Sequence, residues 1–115
     1  MNEMTASENC KVIATIVGKG QAGRVIAASK QAGAKGGTTL LARGTAPESV
    51  YLDILGMNFD PEREIVLTLA GGDMVDGILQ AISDEVEMNK PGRGIAFVVD
   101  VKGLVGMISL LKPQP

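Results

Sequence analysis

Three short glycine-rich stretches contain the residues whose types and spacing suit binding chemistry. Residues 18–23 read GKGQAG, the Gly-x-Gly-x-x-Gly spacing that binds a dinucleotide pyrophosphate between a strand and a helix. Residues 33–38 read GAKGGT, and residues 89–94 read NKPGRG. Backbone N–H groups in such turns form concavities that bind anions, and Lys90 and Arg93 add positive charge to the last stretch. The chemistry to be tested is therefore the binding of a phosphate group.

A dinucleotide site at GKGQAG needs a parallel strand–helix–strand unit and an acidic residue about twenty positions further on. Arg43 ends the second predicted strand instead, and an arginine accepts a 2′-phosphate, so NADP is the cofactor this interpretation would take. The chain has 115 residues, however, which is too short for a full doubly wound sheet. We therefore interpret GKGQAG as a tight strand-to-helix turn whose small residues let the helix lie close to the sheet.

GAKGGT and NKPGRG occupy equivalent places in the sequence, each between a predicted helix and a predicted strand. Both are rich in glycine, and both contain at least one cationic side chain. Chemistry alone leaves two interpretations open: they are anion sites, or they are ordinary turns in which glycine provides a positive φ angle.

The composition excludes several other kinds of site. The chain has no histidine, which removes histidine acid–base chemistry and histidine metal ligation. Aromatic residues make up 3% and the net charge is -2, and both values argue against nucleic-acid binding. Cys10 is the single cysteine, so we expect an inert thiol and a cytoplasmic protein. We also expect an aliphatic core filled out with methionine.

Four acids lie in or beside the middle segment and could bind a cation. They are Asp53, Asp60, Glu62 and Glu64. Such a run is usually a solvated surface, so no metal site is predicted.

One order of elements occurs twice along the chain: an apolar run, a glycine-containing turn, a helix, a glycine-rich turn and another apolar run. The four apolar runs, at residues 12–17, 38–42, 65–69 and 95–101, predict short strands. The result is a ferredoxin-like βαββαβ fold of the α+β class, with an antiparallel sheet and two helices on one face. Because the strands are apolar on both faces, we expect an oligomer that packs these sheets face to face.

Periodicity places the two helices. The second has an apolar face, Asp73 as its predicted N-cap and Asp76 in its first turn. The first has a stripe of small residues, and Gly33 is predicted to end it in a left-handed conformation. The residues of the two faces are Val75, Ile78, Leu79, Ile82 and Val86, and Ala22, Val25, Ile26, Ser29 and Ala32.

Three stretches of the sequence are similar to the PII signal-transduction family, in its divergent PII-like branch. They read VIAASKQAGAKGGTTLLARGT, PEREIVLTL and KPGRGIAFVVDV, and the resemblance covers residues 11–102. It implies a homotrimer of ferredoxin-like subunits with inward-facing sheets. It also implies signalling rather than catalysis: adenine nucleotides bind in clefts between subunits, and a protruding T-loop controls a partner such as a membrane transporter or a metabolic enzyme.

By position, the resemblance divides the chain into a flexible N-terminus (1–10) and one domain (11–111). Within the domain it implies a T-loop at 45–62, a phosphate-cradling B-loop at 88–94 and a C-terminal segment at 102–111 that closes the cleft. Tyr51 would contact the partner protein. The implied nucleotide-binding residues are Gly36, Gly37, Thr38, Arg43, Gly44, Lys90, Pro91, Gly92, Arg93 and Gly94.

Four positions depart from the family pattern at its phosphate contacts. Ile95 stands where the family has Lys or Arg, and Met88 stands where it has Ser or Thr. Gly106 and Ile108 replace two arginines of the C-terminal segment. Since each charge-assisted contact contributes about 1.5–3 kcal/mol, ADP, AMP or a cyclic nucleotide is a candidate ligand besides ATP. The side chains that would substitute for the missing contacts are Lys90, Arg93, Arg43 and Lys102.

Two other functions fit the same fold. A small phosphatase of the acylphosphatase type would need a catalytic Arg–Asn pair, and the sequence offers no convincing asparagine. A trimer without a ligand, similar to the divalent-cation tolerance proteins, would lack a loop such as KPGRGIAF. The nucleotide-sensing regulator is therefore the preferred interpretation.

Overall fold

The computed structural model describes residues 9–44 and 62–106 of the chain. Apolar runs rich in β-branched residues form the strands, and segments with a 3.6-residue period form the helices. A 3-10 turn, Gly72–Met74, precedes the second helix. The elements in chain order are β1 (Cys10–Gly18), α1 (Ala22–Gln31), β2 (Thr38–Arg43), β3 (Glu62–Gly71), α2 (Val75–Val86) and β4 (Ile95–Asp100).

The four strands form one antiparallel sheet in the order β2-β3-β1-β4. This order confirms the predicted ferredoxin-like fold. It also rules out the parallel unit that a dinucleotide site requires, because β3 lies between β1 and β2. The edge strands β2 and β4 are three strand spacings apart, which is about 14 Å.

Both helices pack on the same face of the sheet and enclose an aliphatic core. The predicted apolar face of α2 is confirmed, since Val75, Ile78, Ile82 and Val86 are all buried. No methionine is among the buried core residues in the described part of the chain; Met88 packs against the core from its edge. The remaining buried core residues are Ile13, Val17, Ala22, Val25, Val66 and Ala70.

The opposite face of the sheet is apolar, as the sequence predicts. Because successive side chains of a strand point to opposite faces, the residues on either side of each core-facing residue along its strand lie on this face. Leu40, Phe97 and Val99 are 45%, 47% and 48% exposed there. A patch of this kind is typical of an interaction surface. In residues 9–44 and 62–106, no helix is long and apolar enough to cross a membrane.

The ends of the helices test two capping predictions. Gly33 has φ +108°, and the N–H groups of Gly33 and Ala34 donate to the carbonyls of Lys30 and Ser29 at 3.1 and 2.9 Å. These bonds form a Schellman motif, so the predicted left-handed end of α1 is confirmed. The predicted cap at Asp73 is wrong: Met74 holds that position, because the 3-10 turn shifts the start of α2 by one residue.

Candidate functional site

The GKGQAG turn binds a carboxylate of its own chain. The N–H groups of Gly20 and Ala22 donate to Oε1 of Glu64, at 2.9 and 2.8 Å. Ala22 is the first residue of α1, so the carboxylate lies at the positive end of the helix dipole. An anion therefore already occupies the place where a dinucleotide phosphate would bind.

The glycines of this turn differ in what they contribute. Gly20 has φ +91°, which is the conformational reason for glycine there. A Cβ added to Gly18 or Gly23 would meet no atom within 4 Å. The expectation that small residues let α1 approach the sheet is therefore wrong for Gly23. Glu64 was expected on a solvated surface and is instead half-buried against this turn.

The GAKGGT turn connects α1 to β2 and does not gather several cationic side chains into an anion-binding site. Its role is to bring the chain close to β3: a Cβ on Gly37 would lie 3.1 Å from Cγ1 of Val66 and 3.4 Å from the carbonyl oxygen of Leu67. Gly33 ends α1, as described above. Steric reasons thus account for glycine at both positions.

The NKPGRG turn has cations gathered around one carboxylate. Oε1 of Glu87 lies 3.4 Å from Nζ of Lys90, and Oε2 lies 3.3 Å from Nη2 of Arg93. The side chains are 59%, 48% and 45% exposed for Lys90, Arg93 and Glu87, so solvent and ligands reach all three. Exposed pairs of this kind contribute only about 0.2–1 kcal/mol each.

The backbone of this turn is unusual at three positions. Gly92 and Gly94 have φ +86° and +133°, and Glu87, at the end of α2, has φ +56°. Gly94 must be glycine, because a Cβ there would lie 2.5 Å from the carbonyl oxygen of Ile16. The turn is therefore held tightly against β1, with its cations on the exposed side.

The structure separates the predicted nucleotide-binding residues into two groups. Thr38 and Arg43 belong to β2, at one edge of the sheet, with Gly36, Gly37 and Gly44 flanking it. The second group precedes β4, at the other edge. Within one chain the two groups are therefore separated by the width of the sheet. The members of the second group are Lys90, Pro91, Gly92, Arg93 and Gly94.

One member of the first group borders a cavity of about 330 Å³ at the end of β2 and the start of β3. Arg43 lines this cavity, and Lys19, also in its wall, pairs with Glu62 at 3.0 Å. Glu62, the last residue of the predicted T-loop, is the first residue of β3. Tyr51 and residues 45–61 lie outside the described residues, as do Ile108 and the rest of 107–111.

Two glutamates, Glu64 and Glu87, contact these turns and were not predicted from the sequence to do so. Glu87 could have been found from its spacing, since it stands three residues before Lys90 at the end of a helix. Glu64 could not, because its contact with Gly20 spans 44 positions. In residues 9–44 and 62–106, no group of histidine, cysteine or carboxylate side chains is arranged to hold a metal ion.

Two ionisable groups at the far end of the sheet have shifted pKa values. Burial raises the pKa of the Cys10 thiol, which is 1% exposed, and this agrees with the inert thiol expected from the sequence. Lys11 donates a hydrogen bond of 2.7 Å to Asp100, and this bond with its charge lowers the pKa of the Asp100 carboxyl. Neither group lies at a glycine turn.

No family model matches the sequence, and no curated protein matches it. Among solved structures, Arabidopsis thaliana PII bound to citrate superposes with a TM-score of 0.62 at 19% identity, over 82% of this chain and 78% of that one. The GlnK–ATP complex of B. subtilis gives 0.61 at 12% identity, over 81% and 82%.

A third solved structure is CPII from Thiomonas intermedia, bound to ADP, AMP and acetate. It superposes with a TM-score of 0.59 at 16% identity, over 77% of this chain and 82% of that chain. The likeness is in backbone arrangement and extends over most of both chains in every case. The chain therefore has the fold of the PII and PII-like signal-transduction proteins.

Proposed function

We propose that this chain is a PII-like regulator that senses adenine nucleotides in clefts between the subunits of a homotrimer. Nucleotide occupancy would change the T-loop at residues 45–62, and the T-loop would control a partner protein in the cytoplasm, with Tyr51 as a contact. The observation that carries the proposal is the pair of solvent-exposed cations, Lys90 and Arg93, on a glycine turn of a PII fold.

The division of the site between two sheet edges supports assembly. A nucleotide held by Arg43 and Arg93 together needs the β2 edge of one copy and the β4 edge of another. The exposed apolar face, with Leu40 and Phe97, gives the copies a surface to bury. Both features favour a closed ring of subunits over a monomer.

The solved relatives support the choice of ligand. GlnK of B. subtilis is described in complex with ATP, and CPII of Thiomonas intermedia with ADP and AMP. Met88, which replaces a hydroxyl residue of the family pattern, packs against the core instead of lining the turn. With fewer phosphate contacts, we expect ADP or AMP to bind at least as well as ATP.

The test is calorimetric titration of nucleotide-free protein with ATP, ADP and AMP, combined with the mass in solution from light scattering. We expect a trimer with one site per chain. Arg93→Gln should weaken binding by about tenfold or more, since a charge-assisted contact contributes about 1.5–3 kcal/mol. Arg24→Gln is the matched control: Arg24 is equally exposed, at 48%, and pairs with Glu85 outside the turn.

A second pair of variants separates charge from shape in the turn. Gly92→Asp and Gly92→Asn have side chains of nearly equal size, and both residues tolerate the positive φ of this position. If phosphate binds here, the aspartate variant should bind far more weakly than the asparagine variant. A monomer that ignores all three nucleotides would overturn the proposal.

The proposed subunit interface is tested with one variant and one control at neighbouring residues of β4. Phe97→Asp places a charge on the exposed apolar face and should yield monomers. Val98→Asp places the same charge one residue further along, on the helix side of the strand, where Val98 is 39% exposed. A trimer that survives Phe97→Asp would show that this face is not the interface.

A further inference from the structure

We infer that Glu87 is an internal competitor for the phosphate group, so that a nucleotide binds the B-loop (residues 88–94) only by displacing the chain's own carboxylate. The inference rests on the proposed function and adds a regulatory residue to the same site. Glu87 contacts Lys90 and Arg93, the two cations that the proposal assigns to the nucleotide.

The geometry of the contact resembles that of a bound oxyanion. Each carboxylate oxygen of Glu87 faces a different cation, Oε1 facing Lys90 at 3.4 Å and Oε2 facing Arg93 at 3.3 Å. A phosphate group binds two cations in the same way, with one oxygen to each. Both ligands therefore use the same donors, and they exclude each other.

Solvent exposure makes this competitor replaceable. All three side chains are between 45% and 59% exposed, so the pairs are screened and weak. A phosphate ligand with higher charge can displace the carboxylate.

The competitor should discriminate among ligands by charge. ADP carries more negative charge on its phosphates than cyclic AMP, whose single phosphate is a monoanion. Coulomb attraction to two cations rises with ligand charge, so the carboxylate is displaced more easily by ADP than by cyclic AMP. Glu87 therefore favours polyphosphates over cyclic monophosphates at this turn.

The experiment titrates wild type, Glu87→Gln and Glu85→Gln with ADP and with cyclic AMP. Glutamine keeps the shape of the side chain and removes its charge. Glu85→Gln removes the same charge two residues away, where Glu85 pairs with Arg24 rather than with the B-loop. We expect Glu87→Gln to bind ADP about three- to tenfold more tightly, and Glu85→Gln to change binding by less than about twofold.

A double variant shows whether the gain passes through the cations. In an Arg93→Gln background, Glu87→Gln should give a smaller gain, because one of the two released donors is missing. Equal gains in both backgrounds would mean that Glu87 acts through the general field of the protein, and the inference would fail.

The outcomes separate this inference from the proposed function. If wild type binds ADP and Glu87→Gln binds it no more tightly than Glu85→Gln does, the inference about Glu87 is overturned and the proposed nucleotide-sensing function stands. If wild type binds no nucleotide and Glu87→Gln does, the competitor is supported and sensing by the native chain fails. If no variant binds any nucleotide, both are overturned.

Discussion

The two turns GKGQAG and NKPGRG have similar glycine content and similar places beside β1, yet they hold anions in different ways. The first presents backbone N–H groups and holds the half-buried carboxylate of Glu64 at 2.8–2.9 Å. The second presents the side chains of Lys90 and Arg93 and holds the exposed carboxylate of Glu87 at 3.3–3.4 Å. The first arrangement completes the fold, whereas the second is the one that we propose to be exchanged for a ligand.

The comparison shows that a glycine motif does not identify a ligand by itself. Both turns can bind an anion, and the difference lies in how firmly an internal carboxylate occupies each one. Glu64 belongs to a central strand and receives two short hydrogen bonds near a helix N-terminus. Glu87 lies at a helix end and makes two long, solvent-exposed pairs.

The largest expected effect comes from the glycines that shape the turns. Gly94→Ala should lower the free energy of unfolding by about 3 kcal/mol, because it combines φ of +133° with a Cβ against the Ile16 carbonyl. Gly20→Ala, with φ of +91° and open space around it, should cost only about 1 kcal/mol. Urea denaturation of both variants checks the difference. Equal losses would mean that φ alone matters and that NKPGRG is not pressed against β1.

The next effect is removal of the internal anion from the first turn. Glu64→Ala should lower the free energy of unfolding by about 2 kcal/mol, because the N–H groups of Gly20 and Ala22 lose a charged acceptor. Added phosphate should restore part of this loss in the variant and have no such effect on wild type. Glu62→Ala, which affects an exposed pair with Lys19, is the control and should cost less than about 1 kcal/mol.

If phosphate stabilises the Glu64→Ala variant no more than it stabilises wild type, GKGQAG lacks the capacity to bind an external anion. The comparison between the two turns would then fail at its first member.

A smaller effect of opposite sign is expected at Glu87. Glu87→Gly should raise the free energy of unfolding by about 0.5–1 kcal/mol, because glycine adopts φ of +56° without a Cβ conflict. Glu87→Ala removes the same carboxylate but keeps the Cβ, so it should show no gain. Thermal and urea unfolding of the two variants measure this. If neither Glu87→Ala nor Glu87→Gly changed the free energy of unfolding relative to wild type, the backbone at residue 87 would not be strained.

The smallest expected effect is a difference in how salt changes the contributions of Glu87 and Glu64 to the free energy of unfolding. Glu87→Gln should change the free energy of unfolding by less than about 0.5 kcal/mol at low salt, and the change should vanish near about 1 M salt. The loss in Glu64→Ala should largely persist at high salt, because the part-buried hydrogen bond from Ala22 is screened less. Unfolding curves at two salt concentrations decide this. If the loss of stability in Glu64→Ala also disappeared at high salt, the two turns would hold their carboxylates in the same way.

Most of the fold could be predicted from local pattern. The 3.6-residue period of α2 and the four short apolar runs are properties of neighbouring residues, and each became the predicted element. The predicted cap at Asp73 is wrong because a 3-10 turn moves the helix start by one residue, and residue propensities do not indicate a shift that small.

The site could be predicted only in part, because its decisive contacts are long-range. Lys90, Gly92, Arg93 and Gly94 are close together in sequence, so local pattern is enough to predict this turn. The carboxylate of Glu64 meets Gly20 only after the sheet has formed, and nothing near residue 64 indicates that partner. The separation of Arg43 from Arg93 follows from strand order, which local patterns do not encode.

The placement of β2 and β4 at opposite edges has a genetic consequence. In the proposed ring, every cleft combines the β2 edge of one subunit with the β4 edge of the next. A chain damaged only at Arg43 and a chain damaged only at Arg93 would each lack intact clefts when expressed alone. Expressed together, they form mixed trimers in which one cleft per trimer joins two undamaged edges, so the two lesions complement each other.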